Sequence, residues 1–481
     1  MGKKKIGLYG GLSVGIGFII ATSTFISLAT GTGEIGIWFI LTMFVVTLVN
    51  LMVAASIAEL NALMPNLTGG LAQYTMVGTG PFLAIVVMVG GYFVSNVFAG
   101  PAEGHMFAIV MHDFIGGGIP MPVWSIGITV VLVGLNLLGL STTVKTQMVI
   151  SGFMIASLFI FGVVGAFRLG YGEVVDLERQ MEITMPALDF NIMRVLPLAS
   201  VAFWLFIGSE FVTPVGRAMV KPKKNVPRAM VLTLVSMFIL KALMAVGMHF
   251  YTPWDEIAES NSPHMLYGVA LFGPRVGFYW MIAIALFAAV GTYNAIIFAV
   301  GEICAGMAKI KLLPAVFAKT NRFGAPYMVI VPLGILSVLV LATGVADSDA
   351  IQFLILTSSF FWMLAYIVSH INVLVLRRRM RNVPRTFKVP LGPLFPIIGI
   401  SFTAFMIWNI STDPTERIEI FILSGILLVV LTVYATIWCK KYLKLPLFKP
   451  MSMEKVMAME HPLYMVVNEK AKHGTPPSEE G

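Results

Sequence analysis

Residues 203–228 read FWLFIGSEFVTPVGRAMVKPKKNVPR. The stretch opens as apolar helix, then meets Gly208, Ser209 and the carboxylate Glu210. It passes Pro214 and Gly216 and closes in a basic, proline-punctuated segment that belongs in water. An uninterrupted spanning helix has no use for such a centre. Irregular backbone survives at membrane depth only where protein or a water-filled cavity satisfies its polar groups. A carboxylate there is costly and marks a functional site by default. The stretch therefore reads as a helix broken within the membrane around a site.

Composition supplies the membrane. Of 481 residues, 58% are AVILMFWYC and 12% are charged, against about 25% charged in a soluble domain. Two cysteines, Cys304 and Cys439, exclude a disulfide framework, and no Cys/His metal spacing occurs. The net charge of +8 lies in short loops between apolar runs, which argues against nucleic acid as a partner. The start, MGKKK and an apolar run past Leu28 with no clear small-residue cleavage site, reads as a retained first helix.

Twelve apolar spans are expected, each near the roughly 20 residues a bilayer requires. Their approximate limits are 7–30, 36–62, 81–111, 122–141, 147–168, 196–219, 229–251, 276–307, 327–345, 350–376, 392–410 and 418–438. With the N-terminus placed in the cytoplasm and the spans alternating, the inside segments up to Lys449 hold 22 Lys/Arg and the outside segments five. Basic residues concentrate on the cytoplasmic side, so both termini are expected inside a multi-pass cytoplasmic membrane protein. The tail after Lys449 is polar and ends GTPPSEEG.

The first span is interrupted as well. Its middle, Ala21-Thr22-Ser23-Thr24, is small and hydroxylic. Unwound there, its amides would form an anion-binding nest at a half-helix amino end. The plainer reading is that these hydroxyls bond back to the preceding turn. Matching interruptions in two halves point to inverted repeats with a midplane site between them.

At this point the chain resembles the amino acid–polyamine–organocation transporter superfamily, from Gly7 to about Leu445. Gly17, three residues and then Ala21-Thr22-Ser23-Thr24-Phe25 match its first-span pattern of Gly, three residues, Gly-Ser-Gly-Ile-Phe, with both glycines of the turn replaced. Glu59, Pro65, Gly69-Gly70 and Tyr74 match the second-to-third span junction. Phe206, Gly208, Glu210, Pro222, Pro227 and Arg228 match the sixth span and its loop, although Arg217 and Ala218 stand where an acidic residue is frequent. Met307-Ala308-Lys309, Leu312-Leu313-Pro314 and RRRMRNVPRTFKVPLGP (377–393) complete the likeness, with Glu302 where an arginine is often found.

The resemblance implies an all-α membrane fold. Residues 1–168 would form a first five-helix repeat, 169–195 an extracellular loop and 196–376 a second, inverted repeat. Residues 377–445 would be two peripheral helices and 446–481 a cytoplasmic tail. It implies secondary transport by alternating access, with substrate between spans one, three, six, eight and ten. An amino acid, cationic or amine-bearing, is the leading cargo, and a polyamine or other amine the alternative. No cofactor is expected beyond a coupling Na+ or H+. Small-molecule substrate and lipid are the expected partners, the chain being a monomer or homodimer. A channel would want rings of like charge, and an enzyme a nucleophile–base set; the spans show neither.

Glu210 would bind a cationic group or a proton, or serve as a structural ion pair. Ala21, Thr22, Ser23, Thr24, Gly208 and Ser209 supply the broken backbone. In relatives resembling this chain, an aromatic at Trp204 lids the substrate and a polar residue at Asn96 touches it; Phe203 and Phe206 read more readily as packing. Tyr293 and Asn294 on span eight and Thr357, Ser358 and Ser359 on span ten offer further polar groups. Lys241, in the middle of span seven, would neutralise Glu210 or Glu302, stand as a tethered cation, or snorkel to one face, with no partner assigned. Glu103 and His105 read as an interfacial, solvated pair or as the lining of an outer vestibule. Glu59, Arg217 and Glu302 read as an inner gate or as interfacial charges.

Overall fold

The computed structural model describes residues 6–64, 70–176, 178, 195–216, 219–260, 262–343, 351–383, 385 and 387–459. Pro65, Gly69, Arg217, Ala218 and the tail beyond Met459 lie outside them.

The described chain is helical, apart from one bridge between Ile6 and Met219. In order the helices are α1 (Leu8–Ile19), α2 (Ser23–Ile35), α3 (Phe39–Leu63), α4 (Leu71–Gly78), α5 (Pro81–Val89) and α6 (Ser95–Ile115). After them come α7 (Met121–Leu137), α8 (Leu140–Ala166), α9 (Ala199–Trp204), α10 (Val212–Val215), α11 (Pro222–Tyr251) and α12 (Trp254–Glu259). The last are α13 (Pro263–Lys309), α14 (Tyr327–Ala342), α15 (Ile351–Arg379), α16 (Leu394–Trp408), α17 (Pro414–Ile437) and α18 (Met453–Ala458). Among the described residues, seven helical stretches are long and apolar enough to cross a membrane, and five further apolar helices run 10–17 residues. Proline opens α5, α11, α13 and α17, where its missing N–H would have had no partner anyway.

Two features sharpen the expected spans. The eighth begins early: α13 starts at Pro263 and bends at Gly273 (φ 79°), so its first ten residues form a separate helix in the expected outer loop. The third is not regular, because Gly90–Val94 widens into a π turn between α5 and α6.

The innermost helices are α13 and α15. Along α15, Leu354, Phe361, Trp362, Tyr366 and His370 are buried. By contrast α17 exposes Ile418, Ile422, Ile426, Val429 and Val433. That spacing puts the five on one helix face, an apolar stripe suited to lipid.

Hydrogen bonds join segments far apart in the sequence. Val220 N donates to Ile6 O (2.9 Å), Phe82 N to Leu447 O (3.2 Å), Asn321 Nδ2 to Leu137 O (2.8 Å) and Trp438 Nε1 to Lys311 O (2.9 Å). Thr42 Oγ1 donates to Val195 O (3.1 Å), Ser200 Oγ to Met406 O (2.6 Å), Tyr171 N to Leu271 O (2.7 Å) and Ser262 Oγ to Asp113 (3.0 Å).

Candidate functional site

Both interruptions read from the sequence are present, and they meet. Helix α1 stops at Ile19 and α2 begins at Ser23. The first amides of a helix have no partner within it. Here Thr22 N and Ser23 N donate to the two carboxylate oxygens of Glu103, at 2.9 Å and 3.1 Å. A negative group suits a helix amino end. Helix α13 holds the turn from the side: Thr22 Oγ1 donates to Ala285 O (2.9 Å), and Thr292 Oγ1 donates to Ile20 O. Thr24 Oγ1 closes onto Ala21 O (2.6 Å).

The second interruption lies between α9 and the short turn Ser209–Phe211. Gly208 sits at φ 120°, and a Cβ there would stand 2.9 Å from that of Phe18. Both the backbone angle and the approach to α1 require glycine. Ser209 and Glu210 follow, buried. Glu210 Oε1 accepts from Tyr366 Oη (2.8 Å), whereas its Oε2 has no hydrogen-bond partner among the described residues.

Lys241 joins the two breaks. Its Nζ donates to Leu205 O (2.6 Å) and Ile19 O (3.3 Å), just past α9 and at the end of α1. The partially negative carboxyl ends of both half-helices thus share one ammonium. The Phe206 ring lies 5.7 Å from the same Nζ, close enough for a cation–π contact. Trp204 Nε1 donates to Ser23 Oγ (2.9 Å), a direct link from one break to the other.

Between the breaks is a cavity of about 30 Å³, room for a water or two. Phe18, Ala21, Thr24, Asn96, Ala99, Trp204, Phe211, Thr292 and Trp362 line it. Phe18 and Phe211 stack with centroids 3.5 Å apart and 7° between planes. Tyr92 and Trp362 meet Phe211 edge-on. Asn96 Nδ2 donates to Tyr92 O (2.8 Å), inside the π turn. Such turns leave a helix locally irregular and recur at functional sites.

The expected residues divide. Ala21, Thr24, Asn96 and Trp204 line the cavity. Thr22 and Ser23 hold its edge through Glu103 and Trp204. Phe206 packs beneath Lys241 and does not line it. Tyr293 and Asn294 turn to α7, to Thr129 (3.0 Å) and Asn136 (2.9 Å), and Thr292 reaches the break in their place. Thr357, Ser358 and Ser359 are buried, with hydroxyls unpartnered among the described residues.

Glu103 is not at a solvated interface: it is fully buried, and its carboxylate caps α2. Glu59 pairs with the last turn of α15 and the loop after it. It accepts from Arg377 Nε (2.9 Å) and Nη2 (2.6 Å) and from Val389 N (2.7 Å), with Arg385 at 3.4 Å. Glu302 is half-buried on α13. No group of three His, Cys, Asp or Glu that could hold a metal occurs among the described residues.

Two broken helices back to back, with charged side chains at their ends, define the helical transporter class. The family model described as "Amino acid permease" matches residues 5–433, so the chain belongs to that family. It is 23% identical over 455 residues to the branched-chain amino acid permease BcaP of Bacillus subtilis, covering 89% of this chain and 92% of that one. It is 22% identical over 412 residues to the gamma-aminobutyric acid permease of Escherichia coli, covering 84% and 87%. Among solved structures, the Eremococcus coleocola manganese transporter shares the fold at 13% identity, with a TM-score of 0.56 over 90% of this chain and 94% of that one.

Proposed function

We propose that the chain is a secondary active transporter for an amino acid or related amine in the cytoplasmic membrane, working by alternating access. Cargo sits between the breaks of the first and sixth spans. The observation that carries this reading is the meeting of the breaks at one cavity, through Trp204–Ser23 and the Lys241 bridge. At about 30 Å³ the cavity must expand to admit cargo. Parting the Phe18–Phe211 stack and swinging Trp204 is the route the packing suggests.

Twelve spans with both termini cytoplasmic accompany the proposal, the first ten forming two inverted repeats. Each of the eight long-range hydrogen bonds described above joins residues that this alternation puts toward one side, which supports it. The outward stripe of α17 suits a peripheral helix. Glu59 with Arg377 and Arg385 would form an inner latch.

Glu210 does not line the closed cavity, but Phe211 next to it does, and its Oε2 has no hydrogen-bond partner among the described residues. That oxygen is assigned to a cationic group of the cargo. Lys241 stands where half-helix carbonyls would otherwise hold a coupling cation.

The test is uptake of labelled amino acids and amines into proteoliposomes by wild type and Glu210→Gln, with ligand protection against unfolding read in parallel. Uptake of at least one solute that falls in the variant supports the reading. Uptake untouched by Glu210→Gln removes Glu210 from the site.

A further inference from the structure

The first break offers its amides to an anion, yet none is left to offer. Ile20 N and Ala21 N donate to Ile16 O (2.8 Å) and Ile19 O (3.1 Å). Thr24 N and Phe25 N donate to Ala21 O (3.1 Å) and Thr22 O (3.0 Å). The remaining two, Thr22 N and Ser23 N, are taken by the two oxygens of Glu103. Glu103 is 0% exposed, and it lies on the face of α6 that also presents Asn96 and Ala99 to the cavity.

We propose that Glu103 fills, from within the chain, the anion position of the broken first span. The cargo is accordingly an organic amine without a free carboxylate, and Glu103 is the residue that excludes α-carboxylates. The inference rests on the reading of the two breaks as the cargo site and narrows its substrate class.

A ligand carboxylate would have to displace a buried carboxylate bonded by two amides, or stand beside it as a like charge. Neither barrier meets an amine. Phe18, Trp204, Phe211 and Trp362 present aromatic surface to the cavity, which attracts an ammonium. Glu210 adjoins the lining residue Phe211, and its Oε2, without a hydrogen-bond partner among the described residues, supplies an acceptor once the cavity opens. The opposite charge is likewise supplied by the chain, since Lys241 already holds the carbonyls of Ile19 and Leu205. Glu103 and Lys241 thus take the places that a zwitterion's two charged groups would occupy at the broken helices.

The test uses matched pairs that differ only in the α-carboxylate: isoamylamine and leucine, tyramine and tyrosine, cadaverine and lysine, agmatine and arginine. Each is titrated against purified wild type, Glu103→Gln and Glu103→Ala, with protection against thermal unfolding as the readout. Wild type is expected to bind the amine of at least one pair about tenfold or more tightly than the amino acid, the scale of a lost charge-assisted contact. Glu103→Ala, which frees both amides, is expected to gain the amino acid and close that gap. Glu103→Gln keeps an acceptor at the helix end and guards against a misfolded Ala variant; it is expected to narrow the gap partway. Wild type binding an amino acid at least as tightly as its amine overturns the inference and leaves the permease reading intact. A preference for the amine that both variants retain also overturns it. No response of any form of the protein to any pair overturns the cargo site together with the inference.

Discussion

At the scale of the residue, three buried charges organise the site, and each is stabilised differently. Glu103 is held by two amides, Lys241 by two carbonyls, and Glu210 by one phenol with one oxygen to spare. Charges in spans cost several kcal/mol when unpaired, so removing a partner should be visible in stability. Lys241→Met is expected to lower unfolding stability by about 1–3 kcal/mol, because it takes the ammonium from the buried carbonyl of Leu205 and one of two donors from that of Ile19; denaturation in detergent measures it. Glu210→Gln keeps the bond from Tyr366 and should leave stability nearly unchanged, while cargo binding falls by about tenfold or more. Glu210 was legible in the sequence because a carboxylate stands out in an apolar run. Lys241 was equally conspicuous, but its partners are backbone carbonyls, which no residue type announces. Glu103 misled for a related reason. Its partners lie about 80 residues earlier in the chain, and nearby Pro101 and His105 suggested an interface.

At the scale of the element, the break in the sixth span depends on Gly208. A side chain there meets both a backbone angle that L-residues avoid and the Phe18 side chain. Gly208→Ala is expected to cost about 1–3 kcal/mol and to abolish uptake, because Leu205 O and Glu210 would shift together. Unfolding and proteoliposome uptake measured on one preparation test both parts. The glycine was readable beside Ser209 and Glu210. The π turn at Gly90–Val94 was not, since two glycines in a helix read equally well as close packing. Along α13 the sequence reading singled out Tyr293 and Asn294 and passed over Thr292 beside them. Neighbours on a helix point about 100° apart, so one reached the break and two turned to α7.

At the scale of the whole molecule, the proposed sidedness rests on the distribution of basic residues. Thr320 lies exposed in a basic loop assigned to the cytoplasm, and Tyr171 is exposed in a loop assigned outside. In intact cells an impermeant thiol reagent is expected to modify Tyr171→Cys and to spare Thr320→Cys until the membrane is opened; the native Cys304 and Cys439 are buried. The general architecture was legible because apolar run length and loop charge are properties of the sequence. The closure of the cavity to about 30 Å³ was not, because it depends on aromatic rings from distant spans meeting at one place.

The central claim is that cargo binds between the two breaks, and the lining residue Ala99 tests it most directly. Ala99→Cys would be treated with a small thiol reagent, with and without a solute that the protein takes up, beside a control Cys at the exposed Tyr171. The account predicts that the solute slows modification at position 99 in proportion to its occupancy and leaves position 171 unaffected. Equal rates at position 99 with and without a transported solute would place the cargo elsewhere and contradict the account.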